Sequence, residues 1–185
     1  MRALIVGAGA VGQVYGEALA RGGAEVSVFV RPRHEAAARA GYRMFRIDLL
    51  GRRSETWFRP DAVVTTPADV AAGRYDQIWL CVPTDALVGG GLDPLLAASA
   101  DATLVCLAPG LDVKAQLARD VGLARIVWGV IGFQSYASPL AGSQEPRERE
   151  MPEAPCFFHG TPTRVSGPER RTLAVRQALR DGACP

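Results

Sequence analysis

Apolar residues in this chain fall into short unbroken runs, separated by segments in which they recur at helical spacing. The first run, Leu4-Ile5-Val6, ends directly in Gly7, and a helical pattern then follows in Val14, Ala18 and Leu19 and closes at Gly22-Gly23. A second run spans residues 25–30. Short, largely apolar runs suit strands covered on both faces, the condition of a parallel sheet. The same pattern predicts strands over residues 75–82, 103–107 and 125–132. Helices are predicted over 32–40, near 67–72, over 85–98 with an interruption at Gly89-Gly90-Gly91, and over 111–121. Residues 42–50 and 54–59 read as a hairpin across Gly51-Arg52-Arg53, and Val63-Val64 as a short strand. A charged, proline-flanked stretch over 143–155 reads as a solvated loop, residues 156–159 as a late strand, and 168–180 as a last helix stopped by Gly182. Strands alternating with helices in this way predict an α/β fold: a Rossmann-like, doubly wound, mostly parallel sheet with helices on both faces.

The junction of the first strand and helix carries the most chemistry. Gly7, Gly9 and Gly12 stand at dinucleotide-binding spacing inside a strand–helix–strand unit. Gly7 would permit the tight turn, Gly9 a close approach of backbone to a pyrophosphate, and Gly12 close packing of the helix on the sheet. The first helical residues, Ala10, Val11 and Gly12, present N–H groups without intrahelical partners, and the helix dipole there favours an anion. In an open sheet the cofactor lies across the carboxyl ends of the strands. That places it near the loops after Val6 and after Val82-Pro83, and close to the one after Leu107.

The end of the second strand bears on which dinucleotide is held. An Asp or Glu there suits the ribose 2′-hydroxyl of NAD, whereas positive charge suits the 2′-phosphate of NADP. The strand ends Val28-Phe29-Val30-Arg31-Pro32-Arg33, with no acid. A guanidinium offers a planar donor fork that matches phosphate oxygens, so Arg31 is the expected 2′-phosphate contact, with Arg33 as a second. His34 follows and stands near the adenine side or at an exposed helix start.

Composition narrows the picture further. At 185 residues and 48% hydrophobic content, the chain suits a globular domain with a sizeable core. A net charge of +2, from 21 basic against 19 acidic residues, gives no electrostatic case for nucleic acid. Cys81, Cys106, Cys156 and Cys184 form no C-x-x-C pair, so neither a disulfide nor a zinc site is expected. No metal site is expected elsewhere. The absence of a long apolar segment or cleavage signal argues against a membrane partner and for a cytoplasmic protein.

The run from Gly7 to Gly16, the helix end Leu19-Ala20-Arg21-Gly22-Gly23 and the strand Val26-Ser27-Val28-Phe29-Val30-Arg31 resemble the amino-terminal signature of the ketopantoate reductases (2-dehydropantoate 2-reductases). The likeness is strong over the first thirty-odd residues and looser, in register, to about residue 140. It implies an NADPH-dependent oxidoreductase that delivers hydride to the keto group of a 2-oxo acid, in pantothenate and coenzyme A biosynthesis. The family has two domains and this chain is too short for both. The expected division is a Rossmann-type NADP-binding domain over residues 1–165, with residues 166–185 as a terminal helix and start of a missing substrate domain.

The resemblance also implies a lysine after the strand at 78–82 and an Asn-Gly pair after the strand at 103–107. Here these fall at Pro83 and at Pro109 before the retained Gly110, and proline supplies neither a polar side chain nor an N–H. The family's general acid and a substrate-binding carboxylate come from a helical carboxyl-terminal domain that has no counterpart in the sequence. Lys114 is the only lysine in the chain and sits on a predicted helix as a solvated residue. Thr84 and Asp85 read either as substrate contacts or as helix caps. Catalytic residues are therefore not assigned. The leading expectation is a reductase-type domain that is incomplete alone and acts with a separate helical partner domain or as a homo-oligomer. The alternatives are a noncatalytic NADP-binding or regulatory module, and an opine or 2-hydroxy-acid dehydrogenase-type domain.

Overall fold

The computed structural model describes residues 1–48, 50, 52–108, 110–137, 155–159 and 161–183. Seven strands form the main sheet: β1 (Arg2–Val6), β2 (Glu25–Phe29), β5 (Ala62–Val64), β6 (Gln77–Leu80), β7 (Thr103–Cys106), β8 (Ile126–Val130) and β11 (Arg164–Ser166). Their spatial order is β11-β8-β7-β6-β1-β2-β5, and every pairing is parallel except that of β11 with β8. The order reverses between β1 and β6, which opens a crevice at the carboxyl ends of those strands. All four residues of β6 and all four of β7 are buried, as their largely apolar sequences suggest.

Alternate residues of these strands feed two cores, one on each face. Ile5, Trp79, Val105 and Val127 face α1 (Ala10–Arg21) and α7 (Glu169–Asp181), which contribute Tyr15, Leu19, Val175 and Leu179. Leu4, Ile78, Leu80 and Leu104 face α3 (Pro67–Gly73), α4 (Thr84–Val88), α5 (Asp93–Ala98) and α6 (Leu111–Val121). α7 closes against the end of α1 through small residues: a Cβ on Gly182 would run into the Ala18 carbonyl oxygen. The Arg21 guanidinium donates twice to the Gly182 carbonyl, at 2.7 and 3.1 Å.

Several expectations need revision. The predicted hairpin exists as β3 (Tyr42–Ile47) and β4 (Arg53–Phe58), but it belongs to a second sheet of order β4-β3-β10-β9. There β9 (Phe133–Ala137) and the late strand β10 (Pro155–His159) complete the pairing. This sheet packs on the outer side of α1. Phe58 abuts Gly16, where a Cβ would come within 2.5 Å of its ring; Thr56 donates to Glu17 at 3.3 Å, and the Tyr15 and Phe133 rings lie 5.0 Å apart. α1 is thus enclosed between two sheets. The helix expected over 85–98 is two short helices, because three glycines give no side chain to hold the intervening turn. β11 is an antiparallel edge strand that the apolar pattern did not reveal. Of the charged stretch over 143–155, residues 143–154 lie outside the described residues, and Pro155 opens β10.

Candidate functional site

The crevice at the strand ends is a cleft of about 830 Å³. Its floor is the loop from β1 to α1. Gly7 has φ +91°, a conformation that disfavours any residue with a Cβ, and that Cβ would sit 2.7 Å from Val82 Cγ1 and 2.8 Å from the Cys81 carbonyl oxygen. Glycine is therefore what lets the β1 loop close against the β6 loop. A Cβ on Gly12 would collide with the Gly7 carbonyl oxygen and reach Ile5 Cγ2 at 3.0 Å. Gly9 differs: a Cβ there would meet nothing within 4 Å. Its side of the backbone faces open cleft.

Gly9 is also the N-cap of α1. Its carbonyl accepts from the Gln13 N–H at 2.9 Å, and the Gln13 side-chain amide donates to the Ala8 carbonyl at 2.8 Å, which fixes the loop to the helix. Among the described residues no side chain caps this end of α1, and no acid stands in its first turn. The initial N–H groups are left for an anion. Ala10, Val11 and Gly12 lie in the first turn, behind the lining that Gly7, Ala8 and Gly9 present.

Arg31 lines the cleft just past β2, where its backbone caps a single 3₁₀ turn, Pro32–His34. The His34 N–H donates to its carbonyl at 2.8 Å. The side chain is exposed and makes no hydrogen bond or ion pair among the described residues. Arg33 is placed differently from its neighbour. It is absent from the cleft lining and donates through Nε to His34 Nε2 at 3.1 Å, so it reaches the site only through His34, which does line it.

Across the cleft, Val82 and Pro83 form the wall below α4. Pro83 itself is the N-cap, so Thr84 and Asp85 lie inside the first turn rather than at the capping position expected of them. Asp85 points into the lining, while Thr84 lies beside the loop after β7, where a Cβ on Gly110 would be 4.0 Å from its Cγ2. Pro109 lies outside the described residues. Lys114 is exposed on α6 with its ammonium 5.6 Å from the Trp128 ring centre, and it does not line the cleft.

The cleft also gathers residues that the sequence did not single out. Thr65 follows β5, Cys81 follows β6, and Tyr42 enters from the second sheet, stacked on Phe58 at 5.9 Å. Burial pushes the Tyr42 phenol above its usual pKa. Thr65 and Cys81 were accessible to inference, because both lie at carboxyl ends of strands that flank β1 and β2. Tyr42 was not, since nothing local joins the hairpin to the main sheet. Among the described residues no three His, Cys, Asp or Glu side chains gather as a metal site, and no helix is long and apolar enough to cross a membrane.

A parallel sheet with its strand reversal at β1 and β6, a glycine loop opening the first helix, and a cleft across both together define a Rossmann-type α/β fold. Residues 3–141 match the family model described as ketopantoate reductase PanE/ApbA, and the chain belongs to that family. Solved structures agree on the fold. A 2-dehydropantoate 2-reductase from Geobacter metallireducens is 22% identical with a TM-score of 0.72, over 99% of this chain and 56% of that one. A PanE/ApbA family ketopantoate reductase from Ralstonia eutropha is 20% identical with a TM-score of 0.71, over 100% and 55%. A D-mandelate dehydrogenase, solved with NADH and anilino(oxo)acetate, is 18% identical with a TM-score of 0.69, over 100% and 55%. The chain therefore spans a little over half the length of these solved relatives. Among curated proteins nothing matches.

Proposed function

We propose that this chain is the NADP-binding domain of a ketopantoate-reductase-type oxidoreductase, in which NADPH reduces the keto group of a small 2-oxo acid. The observation that carries the reading is Arg31. Its guanidinium has no partner among the described residues and lines the cleft at the end of β2, where an NAD site would place a carboxylate. The open space at Gly9 and the uncapped end of α1 fit a diphosphate, which main-chain N–H groups would hold. Arg31 would hold the 2′-phosphate, with Arg33 steadying His34 beside it. Val82 and Pro83 would bound the nicotinamide side. When bound, the cofactor supplies the hydride.

The chain's own residues do not complete the chemistry. Reduction of a keto group needs a proton at the carbonyl oxygen, and Pro83 stands where the family has a lysine. Asp85 is the only carboxylic acid in the cleft lining among the described residues. A helical domain, in this polypeptide or a partner, would supply the acid and grip the substrate carboxylate. The same substitution supports a second reading, a noncatalytic NADP-binding module, which predicts no turnover even after a helical domain is supplied.

Calorimetric titration with NADPH and NADH tests the assignment, and NADPH is expected to bind more tightly. Arg31→Ala should weaken NADPH selectively by about 1.5–3 kcal/mol, roughly tenfold to a hundredfold in Kd. Equal affinities for the two cofactors in the unmodified protein would overturn it.

A further inference from the structure

A second concavity, of about 480 Å³, lies between β11 and α7 and shares no lining residue with the dinucleotide cleft. Three arginines converge on it: Arg164 from β11, and Arg176 and Arg180 one turn apart on α7. Val165 and Leu179 supply apolar wall, and Thr163 lies at the edge with its hydroxyl bonded to that of Tyr15 at 2.9 Å. Among the described residues no Asp or Glu lines the pocket.

Five arginines elsewhere in the chain, Arg2, Arg21, Arg39, Arg43 and Arg171, are each neutralised by a neighbouring acid. In the pocket, Arg176 donates only to the Val165 carbonyl at 3.1 Å and Arg180 only to Gln177 at 2.9 Å, while Arg164 has no partner among the described residues. Like charges at i and i+4 on a helix repel, and a third cation brought from a neighbouring strand adds to that cost. Guanidiniums converging from two elements suit an anion with several oxygens and more than one charge, bound through planar donor forks.

We propose that this pocket binds a compact, multiply charged phosphate group, separately from any dinucleotide in the cleft. Inorganic pyrophosphate is the probe, titrated by calorimetry at constant ionic strength. Saturable binding is expected, and it persists in Arg31→Ala because the cleft is not involved. Arg164→Gln removes a side chain without partners among the described residues, and a melting curve checks that the fold is retained; it should weaken pyrophosphate by at least about tenfold. Arg164→Gln with Arg180→Gln should abolish the binding. The proposal is overturned if the unmodified protein shows no saturable pyrophosphate binding, if folded Arg164→Gln binds as tightly as the parent, or if Arg31→Ala is the change that removes the binding. Tighter binding of a tetraglutamate peptide than of pyrophosphate would also overturn it, by making the surface a carboxylate site.

Discussion

Replacing Gly9 with valine separates the loop's part in folding from its part in binding. Gly9 sits at φ −76°, ψ −172°, in the extended region open to valine, and an added Cβ meets nothing within 4 Å. Two small effects on stability then oppose each other. Losing glycine's unfolded-state freedom stabilises by about 0.4–1 kcal/mol, whereas an apolar residue at an N-cap costs on the order of 1 kcal/mol. The net should stay within about 1 kcal/mol, or roughly 2–4 °C in Tm for a chain of this size. In the cleft the branches occupy the space through which a diphosphate would reach the first N–H groups of α1. Hydrogen bonds to a charged group contribute about 1.5–3 kcal/mol each, so losing two weakens NADPH by roughly two to four orders of magnitude. Circular dichroism melting and titration of NADPH fluorescence measure the two effects on one sample. A folded variant that binds NADPH undiminished would refute the reasoning, for the glycine loop would then be a turn and nothing more.

Gly12→Ala should do the reverse of Gly9→Val and damage the fold first, because its Cβ strikes the Gly7 carbonyl; a loss of about 1–3 kcal/mol is expected in denaturant melts, and an unchanged midpoint would contradict the packing described. The isolated chain should reduce ketopantoate far below about 1 s⁻¹ at saturating NADPH, since a positioned proton donor is typically worth 10²–10⁴-fold, and turnover at an ordinary enzyme rate would show that a residue such as Asp85 has taken over that role. Burial holds the Cys106 thiol above its usual pKa, so iodoacetamide at mildly alkaline pH should label it only when the chain unfolds; prompt labelling of native Cys106, mapped by mass spectrometry, would contradict its burial.

The main sheet was legible because its central strands are buried on both faces and so carry largely apolar runs; β6 and β7 emerge within a residue or two of the predicted bounds. The site was legible where one local segment builds it, as with Gly7, Gly9 and Arg31. What escaped depends on pairing between distant segments. β10 joins the hairpin strand β3 through Cys156 and Phe45, and no local pattern records which strand a short apolar run will choose. β11 is three residues long, too short for a period to show. The placement of Tyr42 in the cleft follows from that second sheet and was hidden with it. The role of Pro83 as N-cap was hidden for another reason: proline makes no side-chain cap, so the usual polar signal points to Thr84 or Asp85 instead.

The enclosure of α1 between two sheets has a kinetic and entropic consequence for whatever arrives at its end. Fixing one residue of a loose backbone costs about 1–2 kcal/mol, and a loop that orders only on ligand arrival loses that from its affinity. Here Phe58 and Phe133 press on one side of the helix and Trp79 on the other, while Gln13 ties the loop to the first turn. Under the proposed reading, the donors that would meet an anion are packed in place before it arrives, and its capture would need no rearrangement on that wall. Adjustment falls to the opposite wall, where α4 has a single turn or so of helix before Gly89-Gly90-Gly91. On the proposed function, selectivity for the anionic half of a ligand would be built in before the encounter, and the fit of the other half would be settled after it.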